Sequence, residues 1–121
     1  MAERRPERVG HLIQAELARS LLTVVRDPRL RSVTVTAVRM TPDLRVAKVF
    51  FRTLDDPATR DEVLHAFRRA TPFLRGEIAR ALDLRVVPEL RVEWDETPDV
   101  GRRIDSLLRD APKGEGEEDD S

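Results

Sequence analysis

The sequence predicts an α+β domain in which helices cover a three-stranded sheet. In several segments apolar residues recur at spacings of three and four, as in helices that bury one face. Between these segments lie stretches in which apolar and β-branched residues alternate with polar ones, as in half-buried strands. The length of 121 residues accommodates one domain with one core. The predicted order is helix, strand, strand, helix, kink, helix, strand, helix.

The first predicted helix begins near Pro6, because proline is favoured in a first helical turn. The helix is expected to end near Arg26, since the residue before Pro28 is biased against helical geometry. The apolar residues between these points form one stripe, namely Val9, Leu12, Ile13, Leu17, Leu21 and Val24.

Two strands joined by a short turn are predicted to form an antiparallel hairpin. The first strand covers residues 33–38, and the second covers residues 44–54. Residues 41–43 have the sequence Thr-Pro-Asp, which is typical of a β-turn. In the second strand the alternating apolar residues share one face and Lys48 and Arg52 share the other. The apolar face is therefore expected to pack on the helices, and the basic face to meet solvent or a partner.

The next helical segment contains a predicted break at Ala70, Thr71 and Pro72. Proline removes one backbone donor and disfavours helical geometry at the preceding residue. The apolar spacing nevertheless continues in phase through residues 63–82. We therefore predict two helices that pack on the same sheet and are joined by a kink.

The C-terminal part of the sequence predicts a third strand, a short helix and an acidic tail. The strand covers residues 86–95, and Thr97 with Pro98 opens the helix as cap and first helical residue. Residues 110–121 carry one Lys and six acidic residues, without apolar anchors, and are expected to be disordered. The chain is therefore divided into a domain over 1–109 and a tail.

The formal net charge of −1 hides a basic domain. Outside the tail, residues 1–109 hold 21 basic and 17 acidic side chains, a net charge of +4. Nearly all the basic residues are Arg, which binds phosphate well, although a GC-rich genome would produce the same bias. A basic domain is typical of proteins with an anionic partner such as nucleic acid.

Several functional classes find no support in the sequence. The absence of Cys excludes disulfides, thiolate metal sites and cysteine nucleophiles. His11 and His65 lie on different predicted helices, and neither a glycine-rich phosphate loop nor a nucleophile elbow is present. No apolar run approaches the ~20 residues that span a bilayer, and the charged N-terminus does not resemble a secretory signal. We expect a cytoplasmic protein with no membrane association, catalytic site, metal or cofactor.

Basic residues cluster at predicted loops and beside the predicted kink. Arginines at such places suit contacts with phosphates, and the alternative is that they pair with the acidic residues of the domain. The clusters are Arg4, Arg5 and Arg8; Arg26, Arg29 and Arg31; Arg68, Arg69 and Arg75; and Arg102 and Arg103.

Residues 44–95 have the element order of a KH module, in which a turn between two helices clamps a nucleic-acid backbone. Residues 70–72 replace the GxxG sequence of that turn, so the usual close approach to phosphates is not expected. The start of the helix after the kink could still attract phosphate through its dipole. The aromatic candidates for base stacking are predicted to lie in the core: Phe67, Phe73 and Trp94. Duplex or folded RNA, recognised by shape and charge, is therefore favoured.

Several segments occur in the order and spacing of one known family. They are Arg8-Val9, Asp27-Pro28-Arg29-Leu30, Thr41-Pro42-Asp43-Leu44, Ala47-Lys48-Val49, the segment from Leu84 to Leu90, Trp94-Asp95, Arg102-Arg103-Ile104 and Leu107-Leu108. Together they span about residues 5–109, and in this set the sequence resembles the ribosome-binding factor A family of bacterial ribosome-assembly factors.

The resemblance implies a type II KH-like fold and a non-catalytic function. It implies binding to the free 30S ribosomal subunit and its 16S rRNA during late maturation, including processing of the 16S rRNA 5′ end. It also implies support of growth in the cold and cooperation with assembly GTPases. Nothing in the sequence requires more than a monomer.

The candidate RNA-binding residues that combine the resemblance with the basic clusters are Arg26, Arg29, Arg31, Lys48, Arg52, Arg68, Arg69, Arg75 and Arg85. The family's kink usually reads Ala-x-Gly, and here Pro72 stands where the glycine is expected. Two other functional classes stay open at this point. A protein-interaction module would bind its partner with little dependence on salt, and a hydrolase would depend on single acidic residues.

Overall fold

The computed structural model describes residues 4–53 and 59–97. It contains two helices, a 3-10 turn and three strands. The helices are α1 (Arg5–Thr23) and α2 (Arg60–Leu82), the 3-10 turn is Pro28–Leu30, and the strands are β1 (Val33–Met40), β2 (Val46–Thr53) and β3 (Glu89–Trp94). The predicted last helix and the acidic tail lie outside the described residues.

The three strands form one sheet in the order β1, β2, β3. β1 pairs with β2 in antiparallel fashion, as the hairpin prediction requires. β3 pairs with β2 in parallel, so α2 is the crossover between them. The predicted α+β class with a three-stranded sheet is confirmed, and the arrangement fits the expected KH-like order.

The core lies between the two helices and one face of the sheet. The ring centroids of Phe51 and Phe67 are 5.3 Å apart, and Trp94 packs edge-on against Phe51 at 5.2 Å. Other fully buried side chains of this cluster are Ile13, Leu17, Leu30, Leu74 and Ile78. The opposite face of the sheet carries exposed side chains such as Lys48, as the alternation in β2 predicts.

β1 contains an irregularity that its sequence pattern does not reveal. The pairing register with β2 shifts between Val35 and Ala37, which leaves Thr36 as an extra residue. Because such a bulge shifts the side-chain alternation by one position, Val35 and Val38 are both buried. The Thr36 hydroxyl donates to the Asp95 carboxylate at 2.6 Å, which ties the bulge to the end of β3.

The first half of α1 lies directly against β1. An added Cβ at Gly10 would be 2.8 Å from the backbone oxygen of Val38. Four residues further along α1, the Gln14 amide donates to the Val35 carbonyl at 3.0 Å. The absence of a side chain at Gly10 is therefore what allows the helix to approach this edge of the sheet.

The prediction of two helices joined by a kink is wrong, because α2 runs without interruption from Arg60 to Leu82. Pro72 lies inside it and has no N–H to donate to the carbonyl of Arg68, four residues earlier. The Thr71 hydroxyl donates to that same carbonyl at 2.8 Å. The neighbouring threonine thus satisfies the acceptor that the proline leaves unpaired, and the helix continues.

Two non-glycine residues of the described chain have a positive φ. Leu44, in the turn between β1 and β2, has φ 63°, and its N–H donates to the Thr41 carbonyl at 2.9 Å. Asp83, the residue that ends α2, has φ 39° in the left-handed region. Aspartate tolerates this conformation, whereas leucine adopts it rarely.

Candidate nucleic-acid interface

The structure distributes the nine candidate RNA-binding residues over four places. Arg26, Arg29 and Arg31 surround the 3-10 turn, with Arg69 of α2 facing it; Arg68 and Arg75 lie between α2 and β3; Lys48 and Arg52 are in β2; and Arg85 is in the α2–β3 connection. The sequence cluster around the turn stays together, whereas the cluster beside the predicted kink is divided, because Arg69 faces the turn and Arg68 and Arg75 face β3.

At the 3-10 turn, Arg29 is bound to its own cap residue. The Asp27 carboxylate accepts hydrogen bonds from the backbone N–H of Arg29 at 3.0 Å and from its guanidinium at 3.0 and 2.9 Å. These guanidinium and backbone contacts lower the pKa of Asp27, and the carboxylate in turn raises the pKa of Arg29. Arg29 therefore serves the local structure, and most of its charge is matched by Asp27.

The same turn lies against α2, where it meets a further cation. The charge of Arg69 also favours the ionised form of Asp27, although less than the bonded Arg29 does. Among the described residues, neither Arg26 nor Arg31 forms an ion pair with a carboxylate, and both are exposed. The positive charge at this turn is thus carried mainly by Arg26, Arg31 and Arg69.

Arg68 and Arg75 point from α2 towards β3, the strand at one edge of the sheet. The Arg75 guanidinium donates to the carbonyl of Pro88 at 3.0 Å and to that of Val87 at 2.9 Å. Arg68 donates to the Val92 carbonyl at 3.4 Å, a weaker contact. Backbone carbonyls orient these guanidinium groups without neutralising them, so their charge and remaining N–H donors stay available to an anion.

The open face of the sheet carries a row of cations across all three strands. Lys48 is paired in register with Arg39 of β1 and with Arg91 of β3, so these side chains lie side by side. Arg91 is bonded to Glu89 at 3.1 Å and lowers the pKa of that carboxylate. The sequence analysis missed Arg39, because it lies beside Lys48 only through the pairing register of the strands, which the sequence does not reveal.

Arg52 and Arg85, the two remaining candidates, have different surroundings. Arg52, also in β2, donates to the backbone carbonyl of Thr97. Arg85 is exposed and lines a pocket that also includes Arg5 and Arg45. The sequence analysis did not select Arg45, because it shares no cluster in the linear sequence.

The residues of the predicted kink form part of a helix surface. Ala70 and Thr71 are half-buried, and Pro72 is exposed within α2. Because α2 does not begin anew at Pro72, there is no helix N-terminus here, and the expectation of a phosphate-attracting dipole is wrong. The described chain therefore offers no KH-type clamp at this point.

The aromatic residues follow the prediction in part. Phe67 is fully buried, and Trp94 packs against the core while the Arg60 guanidinium lies 4.5 Å from its ring centroid. Phe73, which was predicted to lie in the core, is 44% exposed instead. Its position beside Pro72 places it on the outer surface of α2, whereas its neighbour Leu74 fills the core.

Metal sites and membrane-spanning helices are two further features to consider in residues 4–53 and 59–97. Within these ranges, no three His, Asp or Glu side chains are grouped so that they could hold a metal ion. Neither described helix combines the length and apolar character that crossing a membrane requires.

Comparison with known proteins places the chain in a family. Residues 5–108 match the sequence profile described as "Ribosome-binding factor A". A protein of that name from Desulfatibacillum aliphaticivorans is 40% identical over 106 residues, which cover 88% of this chain and 86% of the relative. The Nitrosococcus oceani protein of the same name is 39% identical over 119 residues, covering 97% and 94% of the two chains.

Solved structures of similar proteins have the same fold. The solution structure of a putative ribosome binding factor A from Thermotoga maritima has a TM-score of 0.70 at 34% identity, covering 82% of this chain and 94% of that one. A homology model of the Thermus thermophilus ribosome binding factor A, fitted into a cryo-EM map of a complex with 30S, has a TM-score of 0.54 at 31% identity and covers 71% of this chain and 96% of that one. On the sequence profile and these relatives together, the chain described here belongs to the ribosome-binding factor A family.

Proposed function

We propose that this protein is a non-catalytic assembly factor that binds the free 30S ribosomal subunit and its 16S rRNA during late maturation. In this role it supports efficient processing of the 16S rRNA 5′ end and growth in the cold. The proposal is supported by the family and by the Thermus thermophilus relative fitted into a 30S complex.

One structural observation carries the proposal. Of the nine candidate cations, Arg29 is the one that forms an ion pair with a carboxylate among the described residues. Within residues 4–53 and 59–97 the other eight form no ion pair within 4 Å, although Arg52, Arg69 and Arg75 lie near enough to a carboxylate to favour its ionised form. Unmatched cations attract phosphates by Coulomb interaction and by release of the counterions condensed on nucleic acid.

The mechanism follows from how these cations are held. Guanidinium groups that already bond backbone carbonyls, such as that of Arg75, lose less conformational entropy when a phosphate binds. Because the aromatic rings of Phe67 and Trp94 are engaged in the core or with Arg60, base stacking does not contribute from them. The protein would hold a folded rRNA segment by phosphate contacts and leave when mature ribosomal contacts compete for it.

The test is co-sedimentation of the full-length protein with purified 30S and 50S subunits over a series of salt concentrations. We expect binding to 30S alone, with an affinity that falls as salt rises. In a plot of the logarithm of the binding constant against the logarithm of the salt concentration, the slope should be roughly −1 for each phosphate engaged. Binding to both subunits alike, or no binding to 30S at low salt, would contradict the proposal.

Several finer points belong to the same proposal. Residues 1–109 would form the rRNA-binding part, and residues 110–121 would be an acidic tail that folding does not need. The protein would act as a monomer in the cytoplasm, where assembly GTPases time its release. Sedimentation of the free protein at several concentrations tests whether it is a monomer, since the mass of a monomer does not depend on concentration.

A further inference from the structure

A pocket of about 210 Å³ lies at the end of the sheet where α2 returns to β3. It is built from three segments that are distant in sequence: the start of α1, the β1–β2 turn, and the α2–β3 connection. Its floor is aliphatic and includes Val9, Leu44, Leu84 and Val86. Val86 is 62% exposed, so an apolar surface is open to a ligand here.

The backbone around this pocket is unusual. Leu44, with φ 63°, lines it, and Asp83, with φ 39°, directly precedes the lining residue Leu84. These are the two positive-φ non-glycine residues of the described chain. The left-handed conformation of Asp83 is a common way to end a helix, but that of Leu44 is strained, and strained backbone that persists in a folded protein is concentrated at binding and active sites.

The rim of the pocket is basic. Arg5, Arg45 and Arg85 line it, and all three are exposed. Asp43 is the acidic residue of the lining, and its carboxylate lies 4.0 Å from Arg45, at the limit of an ion pair. The rim therefore has an excess of positive charge around an aliphatic floor.

We infer that this pocket binds an acidic peptide segment of a partner protein, with an aliphatic side chain in the pocket and carboxylates on the three arginines. A nucleotide fits less well, because the lining has no aromatic ring and no amide or hydroxyl side chain to recognise a base. The chain's own residues 110–121 would match the rim, but they contain no Val, Leu or Ile to fill the floor. This inference goes beyond the proposed rRNA binding and does not rest on it.

The test uses the isotopically labelled full-length protein and three synthetic probes, followed by NMR. The probes are a short peptide with one leucine between aspartate and glutamate residues, the same peptide with serine in place of leucine, and an oligouridylate RNA. We expect the leucine peptide to shift the amide signals of Leu44, Leu84 and Val86 in a saturable way. The serine peptide should bind at least about fivefold more weakly, because the apolar contact is lost.

Two variants make the test specific. Val86→Asp places a charge on the apolar floor and should weaken the leucine peptide at least about fivefold. Leu22→Asp is the matched control, since Leu22 is 75% exposed on α1 and does not line the pocket. It should leave the peptide affinity unchanged, and retained amide dispersion in both variants shows that they fold.

Three outcomes would overturn the inference. Equal binding of the leucine and serine peptides, or no shifts at the pocket, would show that no aliphatic side chain is recognised. Stronger shifts at the pocket with oligouridylate would assign it to RNA. A third result would come from the protein without any probe. If replacing the acidic residues of 110–121 by their amides shifts the signals of the pocket, the tail itself occupies it.

Discussion

The two edges of the sheet are closed in different ways. At β1, the backbone of α1 lies close enough that Gly10 touches the Val38 carbonyl, and Gln14 bonds the Val35 carbonyl. At β3, two long charged side chains from α2 bond the backbone: Arg68 bonds the strand itself, and Arg75 bonds the two residues just before it. The first edge is closed by close packing of a helix backbone; the second is protected by arginine side chains, which also gather positive charge there. Arg68 and Arg75 thus support the fold at a place where we also propose contacts with rRNA.

The largest expected effect comes from breaking the packed edge. Gly10→Val should destabilise the protein by about 2–3 kcal/mol, because its Cβ would meet a backbone oxygen that cannot move away easily. Urea unfolding monitored by circular dichroism measures the change. Gly76→Ala is the control, since its Cβ would meet nothing nearer than the end of Arg80 at 4.0 Å. That variant should be more stable by about 0.5–1 kcal/mol.

Substitutions of Arg75 can separate its contribution to stability from its proposed contribution to 30S binding. Arg75→Met and Arg75→Lys should each lower stability by about 1–2 kcal/mol, because neither side chain reproduces the forked bonds to two carbonyls. In 30S co-sedimentation, the lysine variant should keep the salt dependence, and the methionine variant should lose roughly one unit of slope. Full stability of the lysine variant would show that the carbonyl bonds contribute little.

The helix that carries the charged edge depends on Thr71. Thr71→Val keeps the shape of the side chain but leaves the Arg68 carbonyl unpaired, which should cost about 1 kcal/mol. In a Pro72→Ala background the restored N–H can bond that carbonyl, so the same substitution should have little effect. A double-mutant cycle in urea measures this coupling. Equal effects in both backgrounds would mean that the hydroxyl does not compensate for the proline.

The smallest effect concerns Asp27 of the 3-10 turn, whose charge is matched by that of Arg29. The folded-state pKa of Asp27 lies below its ordinary value, chiefly through the Arg29 guanidinium. Its contribution to stability is therefore present above about pH 4 and is lost as the pH falls through the lowered pKa. Asp27→Asn should be less stable than the parent protein near neutral pH, and the difference should shrink in acid. Urea unfolding near neutral pH and in acid measures this difference in the free energy of unfolding between Asp27→Asn and the parent protein. The same difference under both conditions would contradict the role assigned to Asp27.

Much of the fold could be predicted because apolar spacing responds directly to burial. Helix α1, the helical character of most of α2, the hairpin and the third strand follow from it, and so does the division of β2 into buried and exposed faces. The continuous α2 could not be predicted from Pro72 alone, because the hydroxyl that compensates belongs to the preceding residue. The bulge at Thr36 could not be predicted either, since the partner of its hydroxyl, Asp95, is 59 residues away in the sequence.

The binding surface was less predictable than the fold. A cluster of arginines in sequence does not tell which of them forms an ion pair: Arg29 pairs with Asp27, whereas Arg31 forms no ion pair among the described residues. The row of Arg39, Lys48 and Arg91 exists only once the strand register is known. The pocket lined by Arg85 requires three separate segments to meet, which no local pattern indicates.

The parallel pairing of β2 and β3 also sets an order of events during folding. β1 and β2 are joined by a short turn, so their hairpin and its contacts with α1 can form early from local encounters. β3 has to wait until the whole of α2 has been made and has folded back across the sheet. During synthesis the residues of the hairpin are made before those of β3, so the hairpin can form while the inner core is still open on one side. The edge that bears Arg68 and Arg75 can form only after β3 has been made.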